Sequence, residues 1–210
     1  MIASCIFFGF SATALADESG GGGDEHGGGD RGRVVQFQAT GTSGTESTDP
    51  SSKSGCQFGG QCIVDSQGTA TVTAGSYTFP ATYSSTLTVD YSQVTFPTAN
   101  TFCAPAAGTV TLTSTLHASD QIFKSEQGQV CGGAAPGSTH TFSGTYVITG
   151  GAGRFTHASG TGTVNVTDDG AGTITSSDEN GTIRYKGARG SGNGGNGDHG
   201  GGGDHGGGGE

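Results

Sequence analysis

Apolar side chains alternate with threonine, serine and other polar residues along most of the chain between residues 34 and 186. The clearest alternation lies between residues 85 and 91, where every second residue is polar: Thr86, Thr88 and Asp90. A period of two is typical of a β-strand with one buried and one solvated face. About eight to ten such stretches recur between turn-forming clusters, and no helical periodicity interrupts them. The pattern predicts an all-β domain, folded either as one sandwich or as one closed barrel.

The same pattern predicts two local features. Residues 41–60 are rich in serine, threonine and glycine, and we expect them to form a long loop. Residues 121–123 and 129–131 are predicted to be the two arms of one hairpin, because polar residues and a glycine separate them.

Glycine accounts for 44 of the 210 residues, and its distribution divides the chain. Residues 17–33 contain 8 glycines and residues 187–210 contain 14, and acidic residues and histidines accompany them in both segments. Such segments cannot bury enough apolar surface to offset the entropy of ordering, so both are predicted to be disordered tails. Residues 34–186 are predicted to form the single β domain between them.

The charge balance excludes several classes of partner. The chain carries only 8 lysine and arginine residues and a formal net charge of −10. Affinity for nucleic acid comes from clustered positive charge, so no nucleic-acid partner is expected. No sequence motif requires a cofactor, and none is predicted.

The first 16 residues resemble a signal peptide. They form an apolar segment that ends in Ala14, Leu15 and Ala16, a small-x-small pattern that signal peptidases cleave. The segment is too short for a permanent transmembrane helix. We therefore expect a secreted protein, extracellular or periplasmic, that is not an integral membrane protein. A lipoprotein signal at Cys5 is the alternative.

Four cysteines follow this segment: Cys56, Cys62, Cys103 and Cys131. An even number of cysteines in an exported chain predicts two disulfides, for which three pairings exist. The favoured pairing joins Cys56 to Cys62 as a local loop and Cys103 to Cys131 as a longer link. Metal binding is the alternative, but the cysteine spacing fits no common zinc site.

One glycine-rich motif indicates a resemblance to a known protein family. It consists of Gly151, Gly153, Phe155, Ala158 and Gly160, on a predicted hairpin where glycines supply the positive φ angles of the turn. This motif resembles one in the allene oxide cyclase and dirigent family, and the resemblance covers roughly residues 109–166. The resemblance implies a closed antiparallel barrel of about eight strands, able to form homo-oligomers and to hold an apolar small molecule.

The candidate site residues are of two kinds. Tyr146, Phe142 and Phe155 are candidates to line a ligand cavity, with core packing as the alternative. In the second tail, aspartate and histidine pairs can bind zinc, copper or nickel, with a solvated linker as the alternative: Asp198, His199, Asp204 and His205. No catalytic residue is predicted, because the motif residues are turn and packing positions.

The leading functional hypothesis is therefore a non-enzymatic binding or structural barrel that holds a small hydrophobic ligand in its lumen. The alternative is an isomerase or cyclase of the allene oxide cyclase or dirigent type, acting on a small apolar substrate. A third hypothesis is a surface or matrix protein with metal-binding tails. An interior filled with apolar side chains would exclude both lumen functions, whereas inward polar groups beside a cavity would favour the enzyme.

Overall fold

The structure, a computed structural model, describes residues 32–48, 56, 59–133, 135 and 137–187. The predicted signal peptide and nearly all of the two predicted tails lie outside these described residues. Most of the domain predicted for residues 34–186 lies within the described residues.

Strands dominate the described residues, with two three-residue 3₁₀ turns at Tyr91–Gln93 and Gly153–Phe155. The nine strands are β1 (Arg33–Thr48), β2 (Gln61–Ala74), β3 (Tyr77–Asp90), β4 (Thr95–Thr98), β5 (Thr101–Ser114), β6 (Gln121–Gly133), β7 (His140–Ala152), β8 (Ser159–Asp168) and β9 (Thr173–Tyr185).

Eight of these strands form a closed antiparallel barrel, as the sequence predicts. Each pairs with the next barrel strand along the chain, and the pairing of β1 with β9 closes the ring. The ninth strand, β4, lies outside the ring and pairs with the beginning of β5. Closure leaves the eight barrel strands without an open edge, which prevents pairing with other chains.

Alternation along each strand determines which side chains enter the lumen. In β3, Phe79 and Ala81 are buried, whereas Thr78 and Thr82 are exposed. Threonine suits the outer face because its branched side chain favours strands and its hydroxyl bonds water. Burial of the inward apolar side chains is the main favourable contribution to folding.

The predicted loop at residues 41–60 is wrong in its first part, because β1 continues to Thr48. Gly41 pairs with Ala70 of β2 and with Ser177 of β9, so the backbone is hydrogen-bonded on both sides. These ladders outweigh the low strand preference of glycine and serine. A bulge between Gly41 and Ser43 lets the strand bend without ending.

The predicted hairpin within residues 121–131 is also wrong. β6 is one continuous strand, and its middle pairs on both sides: Gly128 lies opposite Ala106 of β5 and Gly144 of β7. In a sequence, a glycine next to polar residues is typical of a turn. Here Gly128 and Gly144 lie side by side where the backbones of β6 and β7 approach closely, so a strand glycine marks a close contact between strands.

Packed rings close one end of the barrel, called the aromatic end, which carries the turns joining β2 to β3, β5 to β6 and β7 to β8. Phe155 is fully buried there, and its ring centroid lies 5.6 Å from that of Phe79 and 4.9 Å from that of Tyr185. Ring pairs at such distances are stabilising beyond the area that they bury.

Both disulfides lie at the opposite end, called the disulfide end. Cys56 is bonded to Cys62, and Cys103 is bonded to Cys131, which is the favoured pairing of the three. Cys103 and Cys131 are direct partners in the β5–β6 ladder, where neighbouring Cβ atoms are close enough to bridge.

Candidate functional site

The glycine motif forms the β7–β8 connection at the aromatic end. Gly151 is the last residue but one of β7, and Gly153 begins the 3₁₀ turn with a φ of 59°, which glycine adopts without strain. Phe155 and Ala158 are buried in the core, and Gly160 is the second residue of β8, opposite Ile183. These five residues therefore lie at turn and packing positions.

The three aromatic residues predicted as ligand contacts lie at different levels of the lumen. Phe155 packs in the aromatic end, and Tyr146 lies near the middle, with its ring centroid 5.8 Å from that of Phe37. Phe142 lies towards the disulfide end, where it lines a small cavity. All three are buried, but they do not converge on one cavity. Their role in ligand binding stays a prediction.

A charged cluster occupies the middle of the lumen. Lys124 Nζ lies 2.5 Å from Glu179 Oε1 of β9 and 3.1 Å from Glu126 Oε1, which belongs to its own strand β6. The Lys124 side chain is 0% exposed and both glutamate side chains are 7% exposed. The ring of Tyr146 lies on one side of the ammonium group, with its centroid 5.2 Å from Nζ.

The sequence interpretation missed this cluster, although a signal was present. Lys124 and Glu126 follow the fully buried Ile122 at intervals of two, so the alternation places all three on the inward face of β6.

Burial controls the electrostatics of the cluster. It raises the pKa of Glu179, while the ammonium of Lys124 opposes that shift. Burial, followed by the charges of Glu179 and Glu126, raises the pKa of the Tyr146 hydroxyl. Glu179 Oε2 and Tyr146 Oη are buried and have no hydrogen-bond partner among the described residues. The cluster therefore combines an amine, two carboxyl groups and a neutral phenol in a buried part of the lumen.

Two small cavities adjoin the cluster. One of about 40 Å³ is lined by both Glu126 and Glu179, together with apolar residues such as Val164. The other, of about 50 Å³, is lined by Glu126, Phe142 and Glu46. Each has room for a few water molecules, whereas pockets for drug-sized ligands enclose about 300 Å³ or more.

Glu46 occupies the disulfide end of the lumen. Burial, and then the charges of Asp168 and Asp169, raise the pKa of Glu46 to about 7. Burial followed by the charge of Glu46 raises the pKa of Tyr83 to about 12. Asp168 has a partner of its own, since its Oδ1 lies 3.2 Å from His140 Nδ1.

A concave surface wider than the two small cavities lies outside the lumen. Neighbouring strands β1, β2, β3 and β5 present rows of hydroxyl and amide side chains there, of which one runs Thr45, Gln67, Ser84 and Thr111 and the next Ser47, Asp65, Thr86 and Thr109. Two depressions on this face enclose about 480 and about 700 Å³, and both include Thr45, Gln67 and Ser84. We call this surface the hydroxyl groove.

No group of three or more histidine, cysteine, aspartate or glutamate side chains is placed to hold a metal ion within the described ranges. The residues predicted as metal ligands, Asp198, His199, Asp204 and His205, lie outside these ranges.

In the part of the chain that the structure covers, no helix is long and apolar enough to cross a membrane. Comparisons of the chain with protein-family models, with curated proteins and with solved structures found no match.

Proposed function

We propose that this protein is an exported, non-enzymatic barrel that binds a neutral, hydroxyl-rich polymer, such as a polysaccharide, through the hydroxyl groove. The contrast in volume carries the proposal. The two cavities of the lumen measure about 40 and about 50 Å³, whereas the depressions of the groove enclose about 480 and about 700 Å³. Two disulfides support export, since such bonds persist in oxidising compartments.

The chemistry of the groove favours a neutral polar ligand. Hydroxyl and amide groups both donate and accept hydrogen bonds, as sugar hydroxyls do. Asp65 is the charged side chain in the lining, and it accepts a hydrogen bond of 2.6 Å from Thr86. With one carboxylate and no lysine or arginine in that lining, the groove would repel a polyanion.

A bulky side chain at the centre of the groove tests this proposal. Ser84→Arg places a long side chain where the two depressions meet, and we expect it to weaken binding of a soluble neutral β-glucan at least tenfold by titration calorimetry. Thr161→Arg, at an exposed position of β8, is the matched control and should bind like the wild type. Equal binding by both variants, or no binding by the wild type to a panel of neutral glycans, would contradict the proposal.

A second candidate function is an isomerase or cyclase that acts on a small apolar molecule in the lumen. It is favoured by the unpartnered Glu179 Oε2, which belongs to a carboxyl group lining the cavity of about 40 Å³. This function requires a free carboxyl group at Glu179 to move a proton. Peptide mapping of Glu179, described below, tests that requirement, since a modified carboxyl group would exclude the candidate.

Three other predictions accompany the proposal. A small hydrophobic ligand in the lumen would require the two cavities to widen severalfold. Homo-oligomerisation and metal binding by the second tail stay predictions.

A further inference from the structure

Lys124 lies between two carboxyl groups in a buried part of the lumen. Its Nζ contacts Glu179 Oε1 at 2.5 Å and Glu126 Oε1 at 3.1 Å, with the lysine side chain 0% exposed. Were both carboxyl groups ionised, the cluster would hold one more negative charge than the single ammonium balances. Charges removed from water in this way are costly even when they are paired. The arrangement would be stabilised by a reaction that removes charge.

We propose that Lys124 and Glu179 condense into an intramolecular amide bond that links β6 to β9 across the lumen, with Glu126 as the proton carrier. The cross-link makes this barrel a covalently locked structure, independently of what the hydroxyl groove binds.

The geometry provides the proximity that the reaction needs. Glu179 Cδ is bonded to the oxygen that contacts Nζ, so the amine lies next to the carboxyl group that it would attack. Well-oriented groups within one molecule reach effective concentrations of about 10⁵–10⁸ M, which no encounter in solution provides. The strands on both sides hold this geometry, because β6 and β9 are each paired to two neighbours in the closed ring.

The electrostatics favour the reactive protonation state. An amine attacks a carboxyl carbon only when the amine is neutral, and the carboxyl group accepts the attack when it is protonated. Transfer of one proton from the Lys124 ammonium to Glu179 produces both neutral forms and removes a pair of buried charges. The raised pKa of Glu179 supports this transfer.

The atoms balance without an oxidant or a reductant. The lone pair of Nζ forms a bond to Glu179 Cδ and gives a tetrahedral intermediate. The Glu126 carboxylate takes one proton from the nitrogen and delivers it to a hydroxyl group on Cδ. The bond from Cδ to that oxygen breaks, and one water molecule leaves. The products are a neutral amide and the original Glu126 carboxylate, to which the new amide N–H can donate.

The released water has a place to go. The cavity of about 40 Å³ is lined by both Glu126 and Glu179, and its polar lining also includes Ser66, Ser85 and Ser177. A space of this size with several polar partners can hold a water molecule.

Peptide mapping of the wild-type protein tests the proposal. Trypsin cleaves after lysine and arginine but not after an acylated lysine, and residues 124 and 179 lie in separate tryptic peptides. In the reduced, unfolded protein we expect peptide 54–154, uncut after Lys124, joined to peptide 155–184 with a mass one water below their sum. Peptides 54–124, 125–154 and 155–184, recovered separately and at full mass, would overturn the proposal.

Two variants separate the roles of the carboxyl groups. Glu126→Gln removes the proton carrier with little change in shape, and we expect the linked product to form at least tenfold more slowly. Glu46→Gln changes a carboxyl group that lines the neighbouring cavity, and it should cross-link at the wild-type rate. An undiminished rate in Glu126→Gln would contradict the role of Glu126, while the wild-type map would still decide whether the bond exists.

Discussion

Glu46 is the residue whose environment most clearly makes stability depend on pH. Its pKa rises from 4.5 to about 7 on folding, because of burial and then of Asp168 and Asp169. The folded protein therefore holds this proton more tightly than the unfolded chain does. The stabilisation is fully present below pH 4.5 and is lost as the pH rises through about 7.

We expect Glu46→Gln to remove this dependence, because glutamine stays neutral at every pH. Above pH 7 the variant should be more stable than the wild type by about 1 kcal/mol, or about 2–4 °C in Tm. This difference is well below the free energy that the full pKa shift corresponds to, because water screens this half-buried group. Measuring the Tm of both proteins at a pH below 4.5 and at a pH above 7 checks this prediction. Equal pH slopes for both proteins would refute the assignment.

At the lumen cluster, the charge of the residues suggests exposure whereas their positions in the strand suggest burial. This conflict explains why the cluster could not be recognised from the sequence. Charged residues are rarely buried, so Lys124 and Glu126 suggest a solvated face by their chemistry. Their spacing from Ile122 places both on the inward face of β6, and in the closed barrel both are buried despite their charge. Glu179 could not be predicted as their partner, because that contact joins residues 55 positions apart.

The presence of the barrel strands could be predicted from the sequence, but their lengths could not. The alternating pattern identifies the barrel strands, but glycine and serine interrupt the apolar signal in β1 and β6. Both strands continue because neighbours on two sides hydrogen-bond their backbones. A single sequence carries the local preference, whereas the pairing that overrides it depends on the whole sheet.

Strands β8 and β9 are shaped around the ring of Tyr146. Gly162 and Gly181 are direct partners in the ladder, and a Cβ atom at either position would overlap the tyrosine hydroxyl and, at Gly162, its ring carbon. We expect Gly162→Val to destabilise the barrel by about 1–3 kcal/mol through overpacking. Chemical denaturation measures the change. Thr161→Val, at the adjacent exposed position, is the control and should change stability by at most about 0.5 kcal/mol.

For the whole molecule, the closed barrel and the disulfide pairing are confirmed by the structure. Alternation and turn residues predict the strands but allow a sandwich or a barrel, and the resemblance of the glycine motif implies the barrel. Cysteine spacing favours a short and a longer link. The hydroxyl groove was not predictable, because it depends on how four strands curve together. Its rows combine residues from β1, β2, β3 and β5 that have no common motif.

Ring packing at the aromatic end should contribute strongly to the stability of the whole barrel. Phe155 belongs to the β7–β8 turn and packs on Tyr185 of the neighbouring β9 and on Phe79 of β3, a strand that pairs with neither β7 nor β8. We expect Phe155→Ala to cost about 3–5 kcal/mol of unfolding free energy, as large core truncations do. Phe96→Ala removes the same atoms from a ring that is 54% exposed and should cost far less. Similar losses in the two variants would contradict the role given to Phe155.

The seam between β1 and β9 has a mechanical consequence. Arg33 pairs with Tyr185, so the first strand begins and the last strand ends side by side at the aromatic end. Tension applied through the two flanking segments would peel this ladder open one hydrogen-bonded pair at a time, as a zipper opens, instead of loading all pairs in shear. The seam would yield at low force. The proposed Lys124–Glu179 bond does not cross this seam, and it would instead keep β9 attached to β6 after β1 has peeled away.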